Sequence, residues 1–138
     1  MTAIVTSQKA RATPPGGSVF DETCSARHAL ELISGKWAML IISALWQNPM
    51  RNADLLRTIG GISQKVLTET LRDLARNGLV IRDDFRAKPL HVEYRLSPLG
   101  ASLSDALIVL DRWAERNFPE LDAARERYDQ AHAKADER

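Results

Sequence analysis

The run from Gly61 to Val80, GISQKVLTETLRDLARNGLV, constrains the fold more than any other part of this sequence. Ser63 is suited to cap a helix start, because its hydroxyl can accept from a backbone N–H in the first turn, and Gly78 after Asn77 is suited to a left-handed stop. Both ends are thus encoded locally. Leu67, Leu71, Leu74 and Ala75 recur at helical spacing and define an apolar face, with Gln64, Lys65, Thr68, Glu69, Arg72 and Arg76 around the other side. Such a helix either covers a core with a solvated back or offers that back to a partner.

The segments before it are helical too. Ala29, Leu30, Leu32 and Ile33 support a helix from Ser25 that Ser34 and Gly35 end. A second begins at Lys36, with Trp37, Leu40, Ile41, Ala44 and Leu45 as a core stripe, and stops at Asn48 and Pro49. It should be the most buried helix. Arg51 to Ile59 forms a third, with Ala53, Leu55, Leu56 and Ile59 inward, and Gly60-Gly61 supplies the bend into the fourth.

After Gly78 the period falls from about 3.6 to 2. Leu79 and Ile81, then Val92, Tyr94 and Leu96, alternate with polar residues as in two half-buried strands, joined by the Pro89-containing loop Arg86 to His91. Ser97 and Pro98 open a last apolar helix with Leu103, Leu107, Leu110 and Trp113 down one side. A domain this small rarely needs so apolar a helix for its own core, so a second copy is expected to cover it. From Pro119 the chain is charged and alanine-rich, as in a separate exposed helix.

The expected organisation is therefore a flexible arm over 1–22, one domain over 23–118 and a charged extension over 119–138. Its class is α+β, mainly α: a winged helix-turn-helix with an apolar C-terminal dimerisation helix. The formal charge of +1 conceals a gradient. Residues 36–95 hold ten basic against six acidic side chains, while 96–138 hold six against nine. Positive charge gathers where a polyanion would lie.

In that order of elements the fourth helix is the one to enter the major groove of DNA, which admits an α-helix and presents distinct donor and acceptor patterns. Ser63 to Asn77 spans about 22 Å, so only its first two turns reach bases. Gln64 and Lys65 lead as base readers, Thr68 and Arg72 accompany them, Ser63 and the backbone N–H groups beside it suit a phosphate, and Arg51 is a further DNA-binding candidate. Arg86, Lys88 and His91 make a basic hairpin tip able to follow the minor groove or its phosphates.

From Cys24 to about Phe118 the chain closely resembles the HxlR-type winged helix-turn-helix regulators of bacteria, relatives of the MarR regulators. The resemblance rests on the cysteine before helix one, ISGKW at 33–37, GISQKVLTETLRDL at 61–74, NGLVIR at 77–82, VEYRLSPLG at 92–100 and Trp113. It implies a homodimer on a pseudo-palindromic operator. Two positions depart from the family's common pattern: Asn52 follows Arg51 where an aromatic is usual, and Ser25 follows Cys24 where proline is usual.

Cys24 is the single cysteine, which excludes an internal disulfide and a multi-cysteine metal site, and no cofactor is expected. As a sensor it would react with oxidants or electrophiles, aided by Arg27 and His28 and opposed by Asp21 and Glu22; otherwise it is a small buried hydrophobe. Relatives in the family that respond to oxidants, quinones or aldehydes through a cysteine here favour the first. The alternatives are a non-covalent ligand held near Trp37, Trp46 or Trp113 at the dimer interface, and a winged domain used only for protein contacts. An enzyme is disfavoured, since no nucleophile-base pair, carboxylate pair or phosphate loop occurs. No apolar run is long enough for a bilayer span, and Met1 to Ser18 lacks a signal peptide's apolar middle, so a cytoplasmic protein is expected.

Overall fold

The computed structural model describes residues 17–86 and 89–136. They fall into two compact units, one ending at Lys36 and the other beginning at Trp37. The first contains α1 (Ser25–Ser34), which buries none of its residues. The second is built from α2 (Lys36–Leu45), α3 (Asn52–Thr58), α4 (Gln64–Arg76), β1 (Val80–Phe85), β2 (His91–Leu96) and α5 (Pro98–Asp136).

Ala38, Ile41, Ile42 and Leu45 of α2 are buried, as are Leu67, Leu71 and Leu74 of α4. Leu55, Ile59, Ile62, Leu79, Val80 and Leu107 complete the core. Each large aliphatic side chain removed from water contributes roughly 1.5 to 3 kcal/mol. The fourth helix is thereby fixed by its inward leucines. Ala53 and Ala75, expected inward, are exposed.

The ends of α4 follow its local chemistry. Ser63 Oγ accepts from Val66 N–H at 3.1 Å. At the other end Gly78 takes φ +75°, and the N–H groups of Gly78 and Leu79 return to the carbonyls of Ala75 and Leu74 at 3.1 and 3.0 Å. That pairing closes a left-handed helix stop, which a residue with a Cβ enters only under strain. Helix α2 ends at Leu45, three residues before Asn48, and Trp46 N–H turns back to the carbonyl of Ser43.

The hairpin is antiparallel, with Val80 opposite Leu96, Arg82 opposite Tyr94 and Asp84 opposite Val92. This corrects the expected phase of the first strand. Val80, not Ile81, shares the inward face with Val92, Tyr94 and Leu96, because Leu79 is still engaged in the helix stop and the strand starts one residue later. Met50 adds a third short pairing, exchanging both backbone bonds with Tyr94 at 2.8 and 3.0 Å.

A lock ties the hairpin to α5. Ser97 Oγ donates to the carbonyls of Gly78 and Leu79 and accepts from Gly100 N–H at 3.0 Å. Gly100 passes so close that a Cβ there would stand 2.0 Å from the carbonyl oxygen of Leu79. From this lock α5 runs unbroken for 39 residues, about 58 Å at 1.5 Å per residue. The expected break at Pro119 is absent: the proline lies inside the helix, where it forfeits one backbone bond that the turns on either side outweigh.

Candidate nucleic-acid interface

The bend from α3 to α4 is short and tightly held. Ile59 and Ile62 are buried on either side of it, Gly61 adopts φ +84°, and the indole of Trp37 lies 3.8 Å from where a Cβ on Gly61 would be. Asp54 organises the start of α3 by accepting from Arg51 N–H at 3.2 Å and pairing with Arg57. The N-terminal ends of the two helices are thus brought to one edge of the domain, where Asn52 and Gln64 exchange two hydrogen bonds at 2.6 and 3.0 Å.

Along α4 the side chains of Gln64, Lys65, Thr68 and Arg72 are all exposed, as is Ser63 before them. Gln64 also donates to Thr68 Oγ1 at 3.0 Å. Lys65 and Arg72 make no ion pair among the described residues and project into solvent. Arg51 is exposed at the start of α3. The hydroxyl of Ser63 is committed to Val66, so what the helix start offers an anion is its unbonded backbone N–H groups.

Arg95 is paired with Asp83 at 2.7 Å and Arg82 lies 3.7 Å from Asp84. Arg86 is exposed at the mouth of the loop; Lys88 lies outside the described residues. His91 is not part of the tip: it opens β2, stacks on Phe85 with ring centroids 4.7 Å apart, and sits 3.5 Å from Glu93.

Of the four residues expected to form a dimer face, Leu110 and Trp113 are about half exposed, at 48% and 49%. Leu103 is half-buried. Leu107 corrects the expectation, since it is only 6% exposed and already belongs to the core of a single protomer. Beyond Trp113, which the sequence reading took as the end of the apolar stripe, Phe118 and Leu121 are exposed at 57% and 50%, and the stripe continues through Pro119. Trp46 borders an open hollow with Pro49, Leu96 and Asp105, and Trp113 another with Asn117, Leu121 and Arg127; neither is an enclosed ligand cavity.

In the first unit Cys24 takes the N-cap position of α1, partly exposed, and its thiol makes no capping bond. A Cβ on Gly17 would stand 2.7 Å from its Sγ. Both basic neighbours have other partners: Arg27 donates to the carbonyl of Phe20 at 3.5 Å, and His28 faces Glu31 at 3.8 Å. Asp21, three residues before the cysteine, accepts from the N–H and hydroxyl of Thr23, which hold its carboxyl below the usual range. No cluster of three or more metal-ligating side chains occurs among the described residues. No single helix among them is long and apolar enough to cross a membrane.

A buried three-helix core, a glycine bend, a capped helix with an exposed polar face and an adjoining hairpin together define a winged helix-turn-helix transcriptional regulator. Comparison with known proteins sharpens this. Residues 32–122 match the HxlR-like helix-turn-helix family, and the chain belongs to that family. It is 39% identical over 110 residues to YtfH of Escherichia coli (strain K12), an uncharacterized HTH-type transcriptional regulator, covering 80% of this chain and 87% of that one. The structure of ytfH from Salmonella typhimurium is similar, with a TM-score of 0.73 and 39% identity over 80% of this chain and 99% of that one. The transcriptional regulator YodB of Bacillus subtilis also matches, in its reduced form (TM-score 0.60, 33% identity, 67% and 90% coverage) and after diamide treatment (0.60, 32%, 70% and 96%). The fold and these relatives are those of regulators rather than enzymes.

Proposed function

We propose that this regulator is a cytoplasmic homodimer that reads an inverted-repeat DNA operator through α4, and that modification of Cys24 governs its binding. The observation that carries the first part is the exposed row Gln64, Lys65, Thr68 and Arg72 on a helix whose other face is locked into the core. Gln64 and Lys65 meet base edges with Thr68 and Arg72 beside them, while Ser63 and Arg51 contact the phosphate backbone, with Arg86 and Lys88 on the wing. A second copy covering Leu110, Trp113 and Leu121 removes an apolar stripe from water and sets two copies of α4 about 34 Å apart, one turn of DNA.

Support for the thiol comes from its partial exposure and from YodB, solved both reduced and diamide-treated. With one cysteine per chain the oxidised product is a disulfide between two subunits or a mixed disulfide with a small thiol, the oxidant taking up two electrons and two protons.

Fluorescence anisotropy with the DNA upstream of the protein's own coding region, repeated across salt concentrations, tests the interface. Arg72→Ala is expected to weaken binding and to lower the slope of log K against log[salt], as a charged contact to DNA is lost. Lys65→Ala is expected to reduce discrimination against unrelated DNA. Unchanged affinity and slope in both variants would leave the protein-contact reading of the winged domain in its place.

A further inference from the structure

Asn52, the first residue of α3, is bonded to the leading base reader. A primary amide carries two N–H donors and a carbonyl with two acceptor sites. Gln64 spends both donors inside the protein, on Asn52 Oδ1 at 3.0 Å and Thr68 Oγ1 at 3.0 Å, and its Oε1 takes one bond from Asn52 Nδ2 at 2.6 Å. The edge of the amide that carries one donor beside one acceptor is therefore occupied. That same edge is what a glutamine needs to grip adenine, donating to N7 while accepting from the N6 amino group.

What remains to face DNA is different: one acceptor site on Gln64 Oε1, and on Asn52 one N–H and one acceptor site of Oδ1. The acceptor takes an exocyclic amino group, which in the major groove is presented by adenine N6 and cytosine N4 alike. Asn52 reaches this position because the glycine bend brings the first turn of α3 beside the first turn of α4, twelve residues apart in sequence.

We propose that Asn52 is a specificity-determining residue of the DNA interface, holding Gln64 so that it accepts from the amino group of either adenine or cytosine instead of forking onto adenine. The inference rests on α4 being the base-reading helix, and it assigns a role to a residue of the preceding helix. Thr68 serves the same arrangement from one turn along α4. A side chain without an amide at position 52 could not both donate to Gln64 Oε1 and accept from its Nε2.

The test is selection of bound sequences from a randomised duplex library with the full-length protein, with Asn52→Ala, with Asn52→Phe, with Gln64→Ala and with the Asn52→Ala/Gln64→Ala double variant. Loss of preference in Gln64→Ala identifies the base pair that Gln64 contacts. At that pair the unaltered protein is expected to accept adenine and cytosine, and both Asn52 variants are expected to favour adenine over cytosine by about tenfold, the effect of one added bidentate contact. The double variant should match Gln64→Ala. Asn52 variants with the unaltered preference at that pair, or a preference that shifts with Gln64 already removed, overturn the proposal. If no variant, nor the unaltered protein, enriches any sequence, DNA reading by α4 itself has failed. Thermal melting of each variant confirms folding, and the alanine and phenylalanine substitutions differ enough in size to separate lost bonding from altered packing.

Discussion

Gly100 shows how one position can hold two elements together. Its missing side chain lets α5 approach within bonding range of the strand entry, where Ser97 caps the helix and takes the carbonyls of Gly78 and Leu79 at once. Gly100→Ala should destabilise the domain by about 1 to 3 kcal/mol, the typical penalty of overpacking a close backbone approach, seen as a lower urea midpoint. Ser63 and Gly78 were legible in the sequence because a cap and a helix stop are local chemistry. Gly100 was not, since the carbonyl that it must clear belongs to a residue on another element. The same distinction explains Gln64: its place on the polar face followed from periodicity, but its bonds to Asn52 depend on how the glycine bend folds. At Cys24 the expectation is functional. Cys24→Ala should bind operator normally and no longer lose affinity on treatment with diamide, whereas a retained response would move sensing to another group.

At the level of elements, α4 keeps its three inward leucines and both ends as the periodicity and caps predict, while Ala75, expected on the same face, is exposed. The hairpin was legible as a pair of strands but its first strand slipped by one residue. Leu79 and Val80 are adjacent and both buried, one in the helix stop and one in the sheet, so alternation alone could not set the phase. The third pairing at Met50 carries a single residue and no periodic signal. For α5 the proline was read as an end, while the structure continues the helix through it. The apolar stripe therefore reaches Leu121, and substitutions there bear on assembly. Leu110→Asp and Leu121→Asp should each shift the protein from dimer to monomer in sedimentation velocity, with the winged core still folded by circular dichroism, because both side chains are half exposed in one protomer. Leu107→Asp should instead unfold the chain, since that residue is in the core.

Over the whole molecule, charge is divided along the chain. The basic middle of the chain contains α3, α4 and the hairpin, and the acidic end forms α5. A long apolar stripe on one helix and an exposed polar reader on another suit a regulator that pairs through the first and binds through the second. The most direct measurement is a footprint of the protein on the DNA upstream of its own coding region, with Lys65→Ala alongside. Two protected half-sites related by inverted symmetry, with centres about 10 base pairs apart, and loss of that protection in Lys65→Ala are the expected result. Uniform protection that ignores sequence, or a footprint unaltered by Lys65→Ala, would contradict the assignment of α4 as the helix that reads DNA.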